Sequence, residues 1–243
     1  DTFLTLLGHE LRTPLTTLLG NAQLLLRRAQ REGVMPARDQ RSLQVLADQA
    51  SRLNRLVQLQ LDISRLHSGQ LRIERVPLDV GMLARRVVEE ILPTVMTHTI
   101  VYSGPDTPLL ILGDELRLDQ VLQNLLQNAI KYSPQGSCVR VGVEQRDATA
   151  CVSVTDEGIG IPQAELPLLF QRFYRASNVE EHQISGLGVG LYVVKELVTL
   201  HGGTVDVASE EGRGSVFTIC LPLAHNACDA NPDAATADES AMV

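Results

Sequence analysis

Leu4, Leu7, Leu11, Leu15, Leu18, Ala22, Leu25 and Ala29 follow one another at steps of three or four residues, so a helix over this stretch carries one continuous apolar seam. The period breaks at Glu32-Gly33-Val34-Met35-Pro36, and Leu43, Leu46, Ala50, Leu53, Val57 and Leu61 resume it. Two helices with a short Gly/Pro connection predict an antiparallel hairpin. A lone hairpin leaves apolar surface uncovered, and pairing with a second copy into a four-helix bundle is the expected way to bury it.

Around Leu66-His67-Ser68-Gly69 the helical period stops and the pattern changes. Leu71–Val76 alternates as a strand does, Val80–Leu92 reads as a helix ended by Pro93, and Thr99–Tyr102 and Leu109–Leu112 read as strands. Glu115–Lys131 is a strongly amphipathic helix, followed by a hairpin of Cys138–Glu144 and Ala150–Thr155. A polar stretch, Gln163–Ser185, precedes a helix at Val189–His201 and a last hairpin, Thr204–Ala208 with Ser215–Leu221, turned at Glu210–Gly214. The expected architecture is an α-helical hairpin over 1–70, then an α+β sandwich with a mixed sheet over 71–223. From 224 to 243 the chain is small, acidic and aperiodic, and disorder is expected.

Composition narrows the class. Of the 243 residues 44% are hydrophobic and 21% charged, with only 3% aromatic and no Trp, so the cores must be built from Leu, Val, Ile and Ala. The net charge of -8 conceals a basic hairpin, net +3, and an acidic remainder, which argues against a nucleic-acid surface. No apolar run is long enough to span a bilayer. The chain opens at Asp1 rather than Met, which leaves room for an upstream sensor or membrane anchor. Cys138, Cys151, Cys220 and Cys228 show no CxxC spacing or paired framework, and are expected to be buried or incidental thiols in a reducing cytosol.

Four clusters carry candidate chemistry. His9 lies about 200° around the helix from both Leu7 and Leu11, so it faces away from the seam. A lone exposed His is ordinarily a bystander, but Glu10 adjoins it, Thr13 stands one turn on, and Pro14 interrupts the helix where stability would not place it. Asn124, Asn128, Lys131 and Tyr132 share one helical face, either a solvated stripe or an oxygen-rich site suited to a hard cation such as Mg²⁺. Asp156-Glu-Gly158-Ile-Gly160-Ile161-Pro162 follows a strand and is either a turn or a ligand pocket. Gly186-Leu187-Gly188-Val-Gly190 opens a helix at Leu191, where free amides favour phosphate. It is neither a Rossmann nor a Walker signature. Between these last two, Phe170-Gln-Arg172-Phe173-Tyr-Arg175 suggests a lid over an anionic ligand. His67, His98, His182, His201 and His225 have no evident partner and read as incidental.

Taken in order, these clusters resemble the sensor histidine kinases, whose phosphoacceptor hairpin precedes an ATP-binding domain of the gyrase/chaperone/kinase/mismatch-repair type. The resemblance covers about residues 3–222. It implies that His9 is the phosphoacceptor, that Glu10 is the acid/base beside it, and that Thr13 aligns water for dephosphorylating the partner. Asn124 and Asn128 would hold Mg²⁺, Lys131 would touch phosphate and Tyr132 would pack near the nucleoside. Asp156 would pair with the adenine amine, with Gly158, Gly160 and Ile161 shaping its pocket. Phe170 and Arg172 would belong to the lid, Arg172 reaching the terminal phosphate, while Gly186, Leu187, Gly188, Gly190 and Leu191 cradle the phosphates.

The implied function is ATP-dependent autophosphorylation of a homodimer, with transfer to the receiver domain of a response regulator. The implied place is the cytoplasm, or the cytoplasmic part of a membrane-bound receptor, and a hinge is expected near Leu66–Val76. The rival readings are a nucleotide-binding scaffold without kinase activity, an ATPase of the chaperone or topoisomerase sort, and a mainly phosphatase enzyme.

Overall fold

The computed structural model describes residues 14, 16–18, 20–21, 24–25, 27–28, 38–39, 41–42, 44–46, 49 and 53, then 71–181 and 187–224. The chain divides into two compact units, one of residues 1–71 with 185–189, the other of 72–184 with 190–243.

In the first unit every described residue from 14 to 28 and from 38 to 53 is helical. Arg28 donates to Asp39 at 2.8 Å, with side chains 15% and 5% exposed. A carboxylate this buried requires a partner of opposite charge. The pair ties the end of the first helical stretch to the start of the second, as a hairpin requires.

The second unit begins with β1 (Val76–Asp79) and α1 (Val80–Ile91). Asp79 caps α1, its side chain accepting from Gly81 N at 2.9 Å. Leu92–Thr94, containing Pro93, tightens into a 3₁₀ turn. Then come β2 (Thr99–Ser103), β3 (Leu110–Gly113) and α2 (Glu115–Tyr132), the last capped by Asp114 through Arg117 N at 3.2 Å. A hairpin of β4 (Cys138–Arg146) and β5 (Thr149–Asp156) follows. The polar segment beyond it holds a 3₁₀ turn, Gln163–Leu168, and one short helix, Ser177–Glu181. After α4 (Gly190–Leu200), taking that short helix as α3, β6 (Thr204–Glu210) and β7 (Gly214–Pro222) close the fold.

Five strands make one mixed sheet in the order β2-β4-β5-β7-β6, with β2 parallel to β4 and the other pairs antiparallel. Period-two alternation sends Val139, Val141, Val143, Ala150, Val152, Val154, Phe217, Ile219 and Leu221 to one buried face. Opposite them, α2 contributes Leu118, Val121, Leu122, Leu125, Leu126 and Ala129, and α4 contributes Val193, Val194, Leu197 and Val198. This aliphatic layer is the core, as expected for a chain without Trp.

Two expectations need correction. The strand expected at Leu71–Val76 begins only at Val76: its partner β3 is four residues long, and the register from Val76↔Gly113 to Asp79↔Leu110 uses all of them. Glu74 N instead donates to Asp114 Oδ2 at 3.1 Å, and Arg75 to the Leu200 carbonyl at 2.9 Å. The cysteines are not all free thiols either. Cys151 and Cys220 face each other in the β5–β7 register with Cα atoms 4.1 Å apart, and they form a disulfide. Sequence spacing could not show this, because the two cysteines are 69 residues apart. Cys138 is a free thiol, and Cys228 lies outside the described residues.

Candidate functional site

Helix α2 supplies one wall. Its core stripe recurs at three- and four-residue steps, and Asn124 and Asn128 lie on its flank, both half-buried. A side chain at Gly190 would place its Cβ 3.6 Å from Asn124 Oδ1, so the amide lies directly against the N-terminus of α4. At the other end of α2, exposed Lys131 donates to Tyr132 Oη at 3.2 Å and its ammonium lies 4.7 Å from the centre of that ring. Burial pushes the Tyr132 hydroxyl up, and the charge of Arg175 partly opposes it.

The end of β5 supplies the buried acid. Asp156 is 6% exposed, and its Oδ1 accepts from Gly158 N at 2.8 Å and from Ser215 N at 3.2 Å. Burial raises its pKa, and these two amides pull it back toward the ionised form. Ile159 N donates to the Tyr132 carbonyl at 3.2 Å, which joins this turn to the end of α2. Ile161 is buried behind it.

The segment from Gln163 to Glu181 is anchored rather than loose. Glu165 accepts from Tyr174 Oη and Ser177 N at 2.9 Å each, and from Ser177 Oγ at 2.5 Å. Those Ser177 bonds hold the Glu165 carboxyl below its usual range. Asn178 Nδ2 donates to the Gly160 carbonyl at 2.9 Å, fastening the segment to the Asp156 turn. Arg172 Nη2 donates to Tyr192 Oη at 2.6 Å and stacks over that ring, 4.5 Å from its centre. Phe170 faces Lys195 of α4 at 6.0 Å.

The second unit thus gathers Asn124 with Gly190, Tyr132 with Gly158, and Arg172 with the first turn of α4, where half-buried Leu191 also sits. A buried carboxylate, amide oxygens, a helix N-terminus and a guanidinium thus belong to the same unit. Gly188 has φ +67°, suited to glycine, but it falls with Leu187 in the other unit. His9, Glu10, Thr13 and Gly186 lie outside the described residues. Sequence reasoning missed Tyr192, Glu165, Asn178 and Ser215. An isolated Tyr, Glu, Asn or Ser carries no pattern until the fold supplies its partner.

No group of three or more His, Cys, Asp or Glu able to hold a metal occurs among the described residues. The Asn124 and Asn128 amide oxygens, half-buried on one flank of α2, have the chemistry that suits Mg²⁺, a hard ion that keeps waters and takes few protein ligands.

The phosphoacceptor family described as His Kinase A matches residues 1–69. The family described as histidine kinase-, DNA gyrase B-, and HSP90-like ATPase matches residues 113–225. The sensor histidine kinase WalK of Bacillus subtilis is 33% identical over 90% of this chain, and the chain covers 36% of WalK. The sensor histidine kinase RcsC of Escherichia coli is 33% identical over 91% of the chain, which spans 23% of that relative. Among solved structures, the mycobacterial sensor histidine kinase MprB is 32% identical with a TM-score of 0.54, aligned over 62% of this chain and 98% of its own.

Proposed function

The chain belongs to the sensor histidine kinase family, and on that premise we propose that it binds Mg·ATP, phosphorylates its own His9 and passes the phosphoryl group to an aspartate of a response regulator. It would do so as a homodimer in the cytoplasm, with Thr13 aligning water to dephosphorylate the partner. The observation that supports this reading best is Asp156. A buried carboxylate with Oδ1 tied down by two amides can present Oδ2 to an exocyclic amine, and the turn that carries this one is bonded to the end of α2 through Ile159 N and the Tyr132 carbonyl.

Adenine would sit against Asp156 and the phosphates near the first turn of α4, where backbone amides and Arg172 meet negative charge. Asn124 and Asn128 would hold Mg²⁺, which when bound supplies charge neutralisation at the phosphates. Transfer then requires in-line approach of the His9 imidazole to the terminal phosphorus. A neutral imidazole is a competent nucleophile near pH 7, since its ordinary pKa is about 6.5. The new bond is N–P, the β,γ-bridging P–O bond breaks, and ADP leaves. Glu10 orients the ring and accepts its proton.

Incubating the protein with Mg²⁺ and γ-labelled ATP tests this. The expected label is acid-labile, alkali-stable and absent from His9→Gln. Failure to label while ATP still binds would replace the kinase reading with a nucleotide-binding scaffold or a mainly phosphatase enzyme.

A further inference from the structure

We propose that Arg75 is a positioning residue by which the chain entering the second unit sets α4 along α2, and so governs how tightly the site holds the phosphates of Mg·ATP. This rests on the reading that those phosphates lie at the first turn of α4.

The two helices meet at both ends. A Cβ at Gly190 would lie 3.6 Å from Asn124 Oδ1, and His201, directly after α4, accepts through Nε2 from Asp114 N at 3.0 Å. Residues 190–200 and 114–124 each rise about 15 Å as helix, so α4 and α2 run side by side in opposite directions. A shift of α4 along its axis at the His201 end is therefore a shift of its N-terminus against Asn124.

At the His201 end a third element joins them. Arg75 Nη2 donates to the Leu200 carbonyl at 2.9 Å, and Glu74 N donates to Asp114 Oδ2 at 3.1 Å. Leu200 is the last residue of α4, where carbonyls have no partner within the helix and the dipole attracts a cation. Asp114 Oδ1 meanwhile caps α2 through Arg117 N. Two consecutive residues thus hold the end of one helix and the start of the other, and with His201 they close a triangle. Glu74 and Arg75 are exposed, so neither bond serves to fill a core. The second unit begins at Arg72 and the β1 ladder only at Val76, so a pull from Leu71 reaches these two contacts before any strand pairing resists it.

Two measurements on the whole chain test this, with Mg²⁺ and a non-hydrolysable ATP analogue as ligand. In wild type the analogue should slow amide hydrogen exchange across residues 72–75, because a site set by these contacts must stabilise them in return. In calorimetry, Arg75→Ala should weaken the analogue about two- to fivefold, the effect of losing one cation at an exposed helix C-terminus. Adenosine, which lacks the phosphates, should bind the variant as it binds wild type, and the slowed exchange should vanish in the variant. Exchange unchanged by the analogue in wild type, or still slowed in Arg75→Ala, would overturn the proposal and leave Mg·ATP binding standing. Equal analogue affinity in variant and wild type, or equal losses of analogue and adenosine, would do the same. If wild type binds no analogue, the Mg·ATP reading falls and the proposal with it.

Discussion

A Cβ at Gly160 would sit 2.0 Å from the Glu210 carbonyl oxygen, and φ there is +63°. Gly212 N reaches back to the Ile159 carbonyl at 2.8 Å, so the β6–β7 turn lies directly on this glycine. In the sequence Gly160 reads as room for a ligand; in the fold the room is taken by the protein's own backbone. Gly160→Ala should therefore destabilise the second unit by about 2–5 kcal/mol, from overpacking plus a forced left-handed alanine. Urea unfolding checks this, and a midpoint equal to wild type would deny the close approach. Gly158 is similar, with Asp156 Oδ1 and the Tyr132 carbonyl each 2.6 Å from its Cβ position. These glycines were legible as a motif, but the backbone that crowds them, at Tyr132 and Glu210, comes from some 25 residues before and 50 after in the chain.

Between elements, His201 performs a task that its sequence context does not reveal. It follows α4 directly and is 3% exposed. Nδ1 lies 2.7 Å from the Leu197 carbonyl, so it carries the proton, and Nε2 accepts from Asp114 N at 3.0 Å. The ring thus locks the C-terminus of α4 to the cap of α2, the two helices that carry Gly190 and Asn124. Burial lowers its pKa, opposed by the Leu197 carbonyl and Asp114 and aided by the nearby Arg75 charge. Because the folded pKa lies below the unfolded value of about 6.5, the stabilisation is complete above that value. It is lost as pH falls through the folded pKa, when Nε2 gains a proton and can no longer accept. Stability of the wild type should accordingly decline below about pH 6.5 more steeply than that of His201→Gln. Urea midpoints across pH 5 to 8 would show it, and parallel pH profiles would rule it out.

Across the whole molecule, the Cys151–Cys220 bond joins two neighbouring strands and closes a loop of 69 residues. That loop holds the Asp156 turn, the anchored segment and α4. Restricting so long a loop in the unfolded chain is worth about 2–4 kcal/mol. Denaturation in oxidising buffer should therefore show a higher urea midpoint than in reductant, with no such gap in Cys151→Ser; equal midpoints in wild type would mean the bond adds nothing. By itself the sequence determined the element types, the two-part order, the aliphatic core and the motifs, because each is written in spacing a few residues long. Hydrophobic periods of two and 3.6 and Asp at helix starts act locally, and no distant partner alters them. Tertiary structure alone decided the start of β1, the disulfide, the lock at His201 and the pairing of Arg172 with Tyr192. Each depends on which distant residue the β1–β3 or β5–β7 register, the α2–α4 packing or the seating of the 163–181 segment on α4 brings within a few ångströms, and no local pattern encodes that proximity.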